Sequence, residues 1–483
     1  MPMQNSHEHN HAPNRFAVVP VAERLRSHTG FTGRGVAIAF LDSGFYPHDD
    51  LKNRIVAFHD VAGEETALED LKKPQSYHWH GTQTTVVAAG DGSLSEGTYR
   101  GIASGAELVL VKISESGRIT EKNIERGLEW ILENREKYNI RVLNVSLGGD
   151  EDVACADSRI DRLAEECVKQ GIVVVVAAGN SAHSERPHSI PPANSPSVIT
   201  IGGYADDNQV DRRLFNLYQS NYGATKDGTV KPEIIAPAMH IAAPILPETD
   251  DYKSAEMLEW IYNAPDYKFG SILYEHWHQA DLPERILYQQ NHRLQREMIE
   301  KVWQERKIVA THYQHVDGTS FAAPIVASVV AQMLEANPDL SPAAVKNILI
   351  STAERIRHFA AERQGYGCLN ARRAVAAAIR ETHVFTDSHF SPPRVEAEKI
   401  LFFFHDDAAL EVSLSGEFND WQPNKTRFKK QPNGFWQAEI KILPPGKYRY
   451  KIVVDNKRWT DDASNGLKEP DGFGGFNSIL YVV

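Results

Sequence analysis

Short apolar runs bounded by turn residues recur along the first half of the chain. Five of these runs have the length and β-branched content of buried strands, namely residues 36–41, 108–113, 142–147, 172–178 and 198–203. The segment between the second and third runs has instead the period of an amphipathic helix. Its apolar face consists of Ile124, Leu128, Ile131 and Leu132. Strands that alternate with helices predict a parallel sheet covered by helices on both faces, which is an α/β fold.

The alternation of strand and helix breaks at residues 245–311, a polar and aromatic segment. We interpret this segment as a largely helical insertion because it contains an apolar stripe at helical spacing. The stripe is formed by Leu287, Leu294, Met298 and Val302. Two further helices are predicted after the insertion. One has Ser341 as its N-cap and Pro342 at its first helical position, and the other opens with Asn370.

The hydrophobic period changes to two near the C-terminal end of the sequence. Apolar residues alternate with polar ones at Leu410, Val412 and Leu414, at Trp436, Ala438, Ile440 and Ile442, and at Tyr448, Tyr450, Ile452 and Val454. This alternation predicts a separate antiparallel β domain. We therefore divide the chain into a disordered tail at 1–14, an α/β domain at 15–382 with its insertion at about 245–311, a linker at 383–398 and a β domain at 399–483.

Composition narrows the function classes further. The net charge of −12, from 52 basic and 64 acidic side chains, argues against a protein that coats nucleic acid. No apolar run approaches the roughly 20 residues needed to cross a bilayer, so we expect no membrane span. His7, His9 and His11 alternate in the tail, a pattern that could bind a metal but that we attribute to disorder.

Cysteine usage points to a reducing compartment. The chain has three cysteines. Cys155 and Cys167 are separated by a segment with a helical pattern, which places them about 18 Å apart and too far for a disulfide. The first 16 residues also lack the apolar core of a signal peptide. These features favour the cytoplasm.

A serine stands at the start of an apolar helix in the segment HVDGTSFAAP, residues 315–324. The first N–H groups of a helix have no intrahelical partner, so Pro324 is expected to be tolerated in the first turn. Ser320 then lies at the positive end of the helix, where developing negative charge is stabilised. The segment alone also fits an N-cap serine.

Three other polar residues follow predicted strands or begin a predicted helix. Asp42 ends one buried strand, Asn180 follows another, and His80 precedes Gly-Thr at the start of an apolar helix. A serine nucleophile needs a base, an orienting acid and an oxyanion donor, and these residue types supply them. Taken alone, Asp42 fits a turn residue equally well, a histidine at the position of His80 is more often structural, and Asn180 also fits a turn residue.

Together, in the order Asp42, His80, Ser320, these residues resemble those of the subtilases, the subtilisin-like serine peptidases. The resemblance covers about residues 20–382 apart from the insertion. Its motifs are TGRGVAIAFLDSG, HGT, YRGIASGAELVLVKI, NVSLGG, VVVAAGN, KPEIIAP, DGTSFAAP and GYGCLNARRAV. It implies a three-layer fold in which helices pack on both faces of a parallel sheet.

The resemblance also implies a role for each matching residue. Ser320 would be the nucleophile, His80 the general base and acid, and Asp42 the residue that orients His80. Asn180 would donate to the oxyanion together with the backbone N–H of Ser320. The segment Ser146, Leu147 and Gly148 would pair with the substrate backbone as an added strand. No cofactor is required for this chemistry, no metal site is expected, and a structural calcium is left open.

The sequence departs from the family pattern at three points. Gln83 replaces the second histidine usual after HGT, and Ala238 replaces a glycine usual after the IIAP turn. Only about 35 residues precede the first strand, so we expect no long folded pro-domain. How activity is restrained is therefore open. Ser181, at the expected mouth of the S1 pocket, favours an apolar P1 residue.

The C-terminal segments VSLSGEFNDWQ, PPGKYRYKIVVDNKRWTDD and GFGGFNSILYVV resemble the glycogen-binding module of the AMP-activated kinase β subunit and early-set domains. This implies a small immunoglobulin-like β-sandwich. It also implies that Trp421 and Trp459 stack on α-glucan while Lys451 and Asn477 make polar contacts. The alternative is that both tryptophans fill the core of the sandwich, since related modules often serve only as spacers.

Two functional hypotheses follow from these features. The first is an intracellular serine endopeptidase that acts on a protein or peptide and has an appended module for glycogen or another α-glucan. The second is a glycan or protein adaptor whose peptidase fold is silent, or gated by the insertion. The insertion at 245–311 could also support an oligomer. A glucan hydrolase has no support, because no pair of carboxylates is recognisable for that reaction.

Overall fold

The computed structural model describes residues 18–482 apart from 66, 72, 150–152, 184–187, 357–358, 382–392, 396–397, 405, 407, 432–435, 463–464 and 466. The predicted tail at 1–14, with its three histidines, lies outside the described residues. So does most of the predicted linker.

A parallel sheet forms the centre of the first domain, as the strand and helix alternation predicted. Its strands are β1 (Ala37–Asp42), β2 (Ile55–Asp60), β3 (Glu107–Lys112), β4 (Ile140–Val145), β5 (Val173–Ala177), β6 (Ile199–Ala205), the short antiparallel β7 (Asn216–Leu217) and β10 (Ile234–Pro237). Strands β8 (Gly223–Ala224) and β9 (Val230–Lys231), which lie between β7 and β10 in the chain, form a separate hairpin. The strand order is β10-β6-β5-β4-β1-β3-β2, with β7 paired to β6. Three further short strands, β11 (Ile241–Pro244), β12 (Ile308–Ala310) and β13 (Tyr313–Val316), form a separate antiparallel sheet.

Helices cover both faces of the parallel sheet, and further helices lie in the insertion. The helices of the described part of this domain are α1 (Val21–Arg24), α2 (His78–Ala89), α3 (Glu121–Asn134), α4 (Arg159–Lys169), α5 (Asp250–Tyr262), α6 (Asp266–His276), α7 (His292–Glu305), α8 (Thr319–Ala336), α9 (Pro342–Thr352), α10 (Ala361–Gln364) and α11 (Ala371–Arg380). Helices α2, α8, α9 and α11 pack in the core on one face, and α3 and α4 pack on the other. The layers match the predicted three-layer fold.

Helix starts follow the predicted capping residues. Ser341 caps α9 by accepting a hydrogen bond from the N–H of Ala344, with Pro342 at the first helical position. Asn370 caps α11 in the same way through the N–H of Arg373. Helix α8 is long and apolar enough to cross a bilayer, but 83% of its 18-residue window is buried inside the protein, as in a core helix.

The insertion is helical, and its three helices α5, α6 and α7 share a hydrophobic core of their own. The predicted stripe is confirmed at Leu287, Met298 and Val302, which are partly buried against this core, and is wrong at Leu294, which is 41% exposed. The fully buried side chains of α7 are Gln295, Ile299 and Trp303. Polar Gln295 occupies an inward position, where its amide nitrogen donates to the carbonyl oxygen of Ile286 at 3.0 Å. A pattern of hydrophobic residues does not predict that a polar side chain is buried at this position.

The C-terminal domain consists of two antiparallel sheets that enclose one core. One sheet has the order β14 (Arg394–Val395), β15 (Lys399–Phe404), β18 (Trp436–Lys441) and β17 (Lys429–Lys430). The other has the order β16 (Val412–Gly416), β19 (Gly446–Val454), β22 (Phe476–Val482) and β21 (Lys468–Pro470), with β20 (Arg458–Thr460) paired to β19. The predicted alternation fails at Leu410, which precedes β16 and is 88% exposed, and at Ile442, which follows β18 and is 40% exposed.

The C-terminal domain contacts the first domain through polar and apolar groups. Arg355 donates to the backbone oxygen of Lys468 at 3.2 Å, and the Tyr481 hydroxyl donates to the Glu362 carboxylate. Between the two domains lies a cavity of about 380 Å³ that is bordered by Lys346 and Leu467. The second domain is therefore docked on the first along these contacts.

Candidate active site

The three residues predicted as a triad lie at the ends of secondary-structure elements. Asp42 is the last residue of β1, His80 is in the first turn of α2, and Ser320 is the second residue of α8. Helix α2 contacts β1 and α8, so the packing of the core brings the three chain segments together. Asp42 and His80 are 38 positions apart in the sequence, and Ser320 is over 200 positions from both. The fold nevertheless places all three at one edge of the sheet.

Asp42 and His80 are in direct contact. Oδ1 of Asp42 lies 2.7 Å from Nδ1 of His80 and also accepts the backbone N–H of Ser43 at 2.7 Å. Asp42 is 1% exposed. Burial lowers the pKa of His80, but the charge and the hydrogen bond of Asp42 outweigh burial, so the pKa is raised above its ordinary value. The pair holds the imidazole in one orientation.

Ser320 lies beside the end of β4. Its hydroxyl donates to the backbone oxygen of Ser146 at 3.3 Å, and the Ser146 hydroxyl donates to the backbone oxygen of Ser320 at 2.9 Å. In the described part of the chain, no hydrogen bond joins Ser320 to His80. The ring of His80 does contact Phe321, with ring centroids 5.9 Å apart. Catalytic hydrogen bonds of this kind often form only with substrate bound.

The predicted position of Pro324 in the first helical turn is wrong. Helix α8 begins at Thr319, so Pro324 is its sixth residue and lies in the second turn. An amide there would bond to the carbonyl four residues earlier, which is that of Ser320, and proline has no N–H to donate. The Ser146 hydroxyl supplies the missing donor. The proline is therefore tolerated because a neighbouring strand end replaces its hydrogen bond.

Asn180, the predicted oxyanion donor, is oriented by the residue that precedes the serine. Its Oδ1 accepts the backbone N–H of Thr319 at 2.9 Å and the Thr319 hydroxyl at 3.0 Å. This arrangement assigns the amide, because an oxygen must face the two donors. The Nδ2 of Asn180 is then directed away from Thr319 and remains available on the exposed side of the residue.

Sequence reasoning missed Asn221, which holds the end of β5 in place. Its N–H donates to the Gly179 oxygen at 3.0 Å, and its Oδ1 accepts the N–H of Ser181 at 2.6 Å. Gly179 has a φ of +99° and a Cβ there would lie 2.7 Å from the Asn221 amide, so only glycine fits. No local pattern reveals Asn221, since it lies in a loop remote in sequence from Asn180.

The predicted substrate-binding segment follows β4 directly. Ser146 is buried, while Leu147 is half-buried. The last residue of the segment is Gly148, and the next residue, Gly149, donates its N–H to the Pro191 oxygen at 2.8 Å. The segment therefore adjoins Ser320 on one side and Pro191 on the other.

A buried ionic network supports the loop that leads to His80, and the sequence did not predict it. Lys112 is fully buried and lies 3.0 Å from carboxylate oxygens of both Asp60 and Glu64. His78 lies 2.9 Å from Glu65 and accepts a backbone N–H through Nδ1. A buried lysine keeps its charge only with such partners, so this network fixes the backbone two residues before His80.

Among the described residues, no group of three or more histidine, cysteine or carboxylate side chains is arranged to hold a metal ion.

All three cysteines are free thiols. Burial raises the pKa of Cys167 and of Cys368 to about 12, so both thiols are protonated and unreactive at neutral pH.

Three of the four residues predicted to bind glucan, Lys451, Trp459 and Asn477, lie on strands of one sheet of the C-terminal domain, and Trp421 lies in the turn region after β16. Trp459 on β20 pairs with Val453 of β19, two residues from Lys451 on the same strand face. Trp459 is 45% exposed, and neither it nor the half-buried Trp421 belongs to the core of the sandwich. The alternative that both tryptophans fill this core is therefore wrong. Asn477 lies on β22, opposite Glu469.

Phe473 is an exposed aromatic residue near this surface that sequence reasoning missed. It is 96% exposed and lies in the turn between β21 and β22. Asp471 holds the turn by accepting the backbone N–H groups of Phe473 and Gly475 at 2.8 and 2.9 Å. The same carboxylate lies 2.5 Å from the Lys451 ammonium group, which places the turn beside Lys451. The signal was present in the sequence as phenylalanine between glycines.

Solved structures with a similar overall arrangement include fervidolysin from Fervidobacterium pennivorans and a mutant of the protease domain of PatA. Fervidolysin is 18% identical with a TM-score of 0.49, and the similarity covers 90% of this chain and 54% of fervidolysin. The PatA domain is 19% identical with a TM-score of 0.48, and the similarity covers 73% of this chain and 98% of that domain.

Sequence comparison gives a firmer relationship. The serine protease AprX of Bacillus subtilis (strain 168) is 30% identical over 361 residues, which are 73% of this chain and 69% of AprX. The major intracellular serine protease of the same strain is 31% identical over 222 residues, covering 44% of this chain and 62% of that protein. Residues 401–483 match the glycogen recognition site of AMP-activated protein kinase. Residues 33–367 match the subtilase family, and the chain belongs to that family of serine proteases.

Proposed function

We propose that this chain is an intracellular serine endopeptidase in which Asp42, His80 and Ser320 act as the catalytic triad. The observation that supports it most directly is the 2.7 Å contact between Asp42 and His80. A buried carboxylate against one nitrogen of an imidazole is the arrangement that makes histidine a base toward a serine. Ser320 lies at the N-terminal end of α8, where the helix favours negative charge.

In the proposed reaction the Ser320 hydroxyl attacks the scissile carbonyl carbon. Its proton moves to Nε2 of His80, and Asp42 stabilises the resulting imidazolium through Nδ1. The carbonyl oxygen becomes an oxyanion that the Asn180 amide and the Ser320 N–H stabilise. His80 then gives the proton to the leaving amine, which leaves an acyl-enzyme. A water molecule then attacks the acyl-enzyme in the same way, with His80 as the base, which releases the acyl product and restores the Ser320 hydroxyl.

The substrate in this proposal is an extended peptide of a protein. Residues 146–148 follow a strand and would pair with the substrate backbone as an added strand. Such pairing recognises main-chain groups, which suits cleavage within a chain better than at its ends.

The second part of the proposal is that the C-terminal domain binds glycogen or another α-glucan. The match to a glycogen recognition site and the 45% exposed Trp459 support it. A tryptophan face left in water favours stacking on a sugar ring. Because Lys451 is paired with Asp471, it would keep that partner while it contacts a sugar hydroxyl. Asn477 would supply a further polar contact.

A cytoplasmic location is proposed from the thiols. All three cysteines are free, and burial raises the pKa of each thiol to about 12, as expected of structural thiols in a reducing compartment. Fractionation of the native cells with an antibody against the chain tests this location. Recovery in the medium or the membrane fraction would contradict it.

The alternative function is a silent or gated adaptor for glycan or protein. Labelling of the purified chain with a fluorophosphonate probe separates the two, since the probe reacts only with an activated serine. We expect labelling of the wild-type chain and of Ser328→Ala, a control in the same helix whose buried hydroxyl donates to the backbone oxygen of Ile325. Ser320→Ala should not label. Absence of labelling in the wild type would favour the adaptor.

A further inference from the structure

Thr84 contacts the oxygen of Asp42 that His80 does not use. Its hydroxyl oxygen lies 3.2 Å from Oδ2 of Asp42, on the turn of α2 that follows His80. Both Asp42 and Thr84 are buried, at 1% and 0% exposed. Among the described residues, Thr84 is the donor that the structure provides for Oδ2. Without it a buried carboxylate oxygen would have no partner.

The hydroxyl of Thr84 has two acceptors within reach but only one proton. The second acceptor is the backbone oxygen of Gly81, at 3.0 Å. That oxygen already accepts the Thr85 hydroxyl at the shorter distance of 2.7 Å. Because Thr85 satisfies Gly81, and because a charged acceptor attracts a donor more strongly than a neutral one, the Thr84 proton belongs to Asp42.

We propose that Thr84 is a positioning residue of the active site, whose hydroxyl fixes Asp42 and draws negative charge toward Oδ2. The proposal deepens the serine peptidase function and rests on it. Asp42 then has a donor on each oxygen, since the Ser43 N–H and His80 lie at Oδ1. Rotation of the carboxylate about χ2 would break contacts at both oxygens. The imidazole therefore keeps the tautomer in which Nδ1 donates and Nε2 accepts.

Hydrogen bonding of Thr84 to Asp42 has an electrostatic consequence that packing alone would not have. A donor on Oδ2 withdraws charge from Oδ1, so it weakens the stabilisation of protonated His80. Removing the hydroxyl should therefore raise the pKa of His80. If Thr84 only packed against Asp42, a side chain of the same shape without the hydroxyl would leave the pKa of His80 unchanged. A rise in the pKa therefore distinguishes the proposed role from packing alone.

The experiment uses the full chain with Ser320→Ala, so that catalysis is not needed for the readout. The signal is the titration of His80, followed by NMR through its downfield Nδ1 proton. Thr84→Val keeps the shape and removes the hydroxyl, and it should raise the pKa by about 0.5. Thr84→Ser restores the hydroxyl and should return the pKa to its original value. Thr352→Val removes a buried helical hydroxyl bonded to Ile348 and should change nothing.

A second measurement uses the chain with Ser320 intact and a peptide substrate. Thr84→Val should lower kcat by about 3- to 30-fold with KM unchanged, a part of the roughly 10²–10⁴-fold that general base catalysis contributes. An unchanged or lowered His80 pKa in Thr84→Val would overturn the proposal. If wild-type chain hydrolyses no peptide, the peptidase function is wrong, while the titration still decides the role of Thr84.

Discussion

The hydroxyl of Ser146 donates to the backbone oxygen of Ser320 at 2.9 Å, where Pro324 has no N–H to offer. One strand end thus completes the hydrogen bonding of the helix that presents the proposed nucleophile. Ser146 is 5% exposed, so water does not readily replace it. The contact couples the predicted substrate-binding segment to the predicted nucleophile.

Ser146→Ala should leave the Ser320 carbonyl without a donor. We expect the free energy of unfolding to fall by about 1–2 kcal/mol, the cost of a buried carbonyl without its hydrogen bond. In the background of Pro324→Ala, which restores an N–H four residues on, the same substitution should cost much less. A double-mutant cycle by urea unfolding measures the difference. If Ser146→Ala lowers the free energy of unfolding equally in both backgrounds, the Ser146 hydroxyl does not compensate for the N–H that Pro324 lacks.

Activity should depend on pH through His80. The charge of Asp42 and its hydrogen bond raise the pKa of His80 above the ordinary 6.5, against the opposite effect of burial. Only the neutral imidazole can accept the serine proton, so kcat/KM should rise with pH through an apparent pKa above 6.5 and be lost as pH falls below it. The measurement is kcat/KM from about pH 5 to 9 on a peptide without titrating groups.

Asp42→Asn provides the control for this pH dependence. It removes the charge that raises the pKa of His80 and should lower kcat by about 10⁴-fold, because the tautomer is no longer enforced. If kcat/KM of this variant falls at the same low pH as that of the wild type, the fall is due to a group other than His80.

Glycogen binding should require the exposed aromatic side chains. Trp459→Ala and Phe473→Ala in the full chain should each weaken co-sedimentation with glycogen by about tenfold, with an unchanged melting temperature. Trp436→Ala is the matched control, since Trp436 is 6% exposed and belongs to the core. That variant should lose about 3–5 kcal/mol of stability instead. Absence of binding by the wild type would leave the domain a docking module.

The insertion is predicted to act as a lid or as a contact between subunits. Its aromatic side chains Tyr267, Tyr274 and Tyr288 are 81%, 73% and 74% exposed, more than folding alone requires. It is anchored next to Ser320, because Lys307 lies 2.5 Å from Asp317 and β12 pairs with β13. Replacing residues 250–305 with a short glycine–serine linker should therefore raise activity on a small peptide or reduce the oligomeric mass.

The deletion should keep the Lys307–Asp317 ion pair and the pairing of β12 with β13, which anchor the insertion. Any change in activity or mass is then due to the loss of the helices alone. Melting curves and light scattering of the variant establish that it is folded and how many chains it contains. A folded variant with the activity and the mass of the wild type would contradict both roles.

Much of the fold followed from hydrophobic periodicity. Buried parallel strands are continuous apolar runs, and Ile124, Leu128 and Ile131 on α3 show the helical period clearly. The errors arose where tertiary contacts overrule the local pattern. Gln295 faces inward because Ile286 offers it a carbonyl, and Leu410 is exposed because β16 begins only at Val412.

The site was predictable only in part. Asp42, His80 and Ser320 occur in short motifs at strand and helix ends, so their sequence context identifies them. Asn221 and Thr84 act through distances that no motif encodes, one from a remote loop and one from a helix interior where threonine is ordinary. The support of Ser320 by Ser146 likewise depends on the packing of β4 against α8.

The turnover of a peptide library by the purified full-length chain, compared with that by Ser320→Ala under the same conditions, tests whether Ser320 is the nucleophile. We expect internal peptide bond cleavage by the wild type and a loss on the order of 10⁶-fold in kcat for the variant, whose fold should be retained. Equal cleavage by the two chains, or no cleavage by a correctly folded wild type, would contradict the assignment of Ser320 as nucleophile.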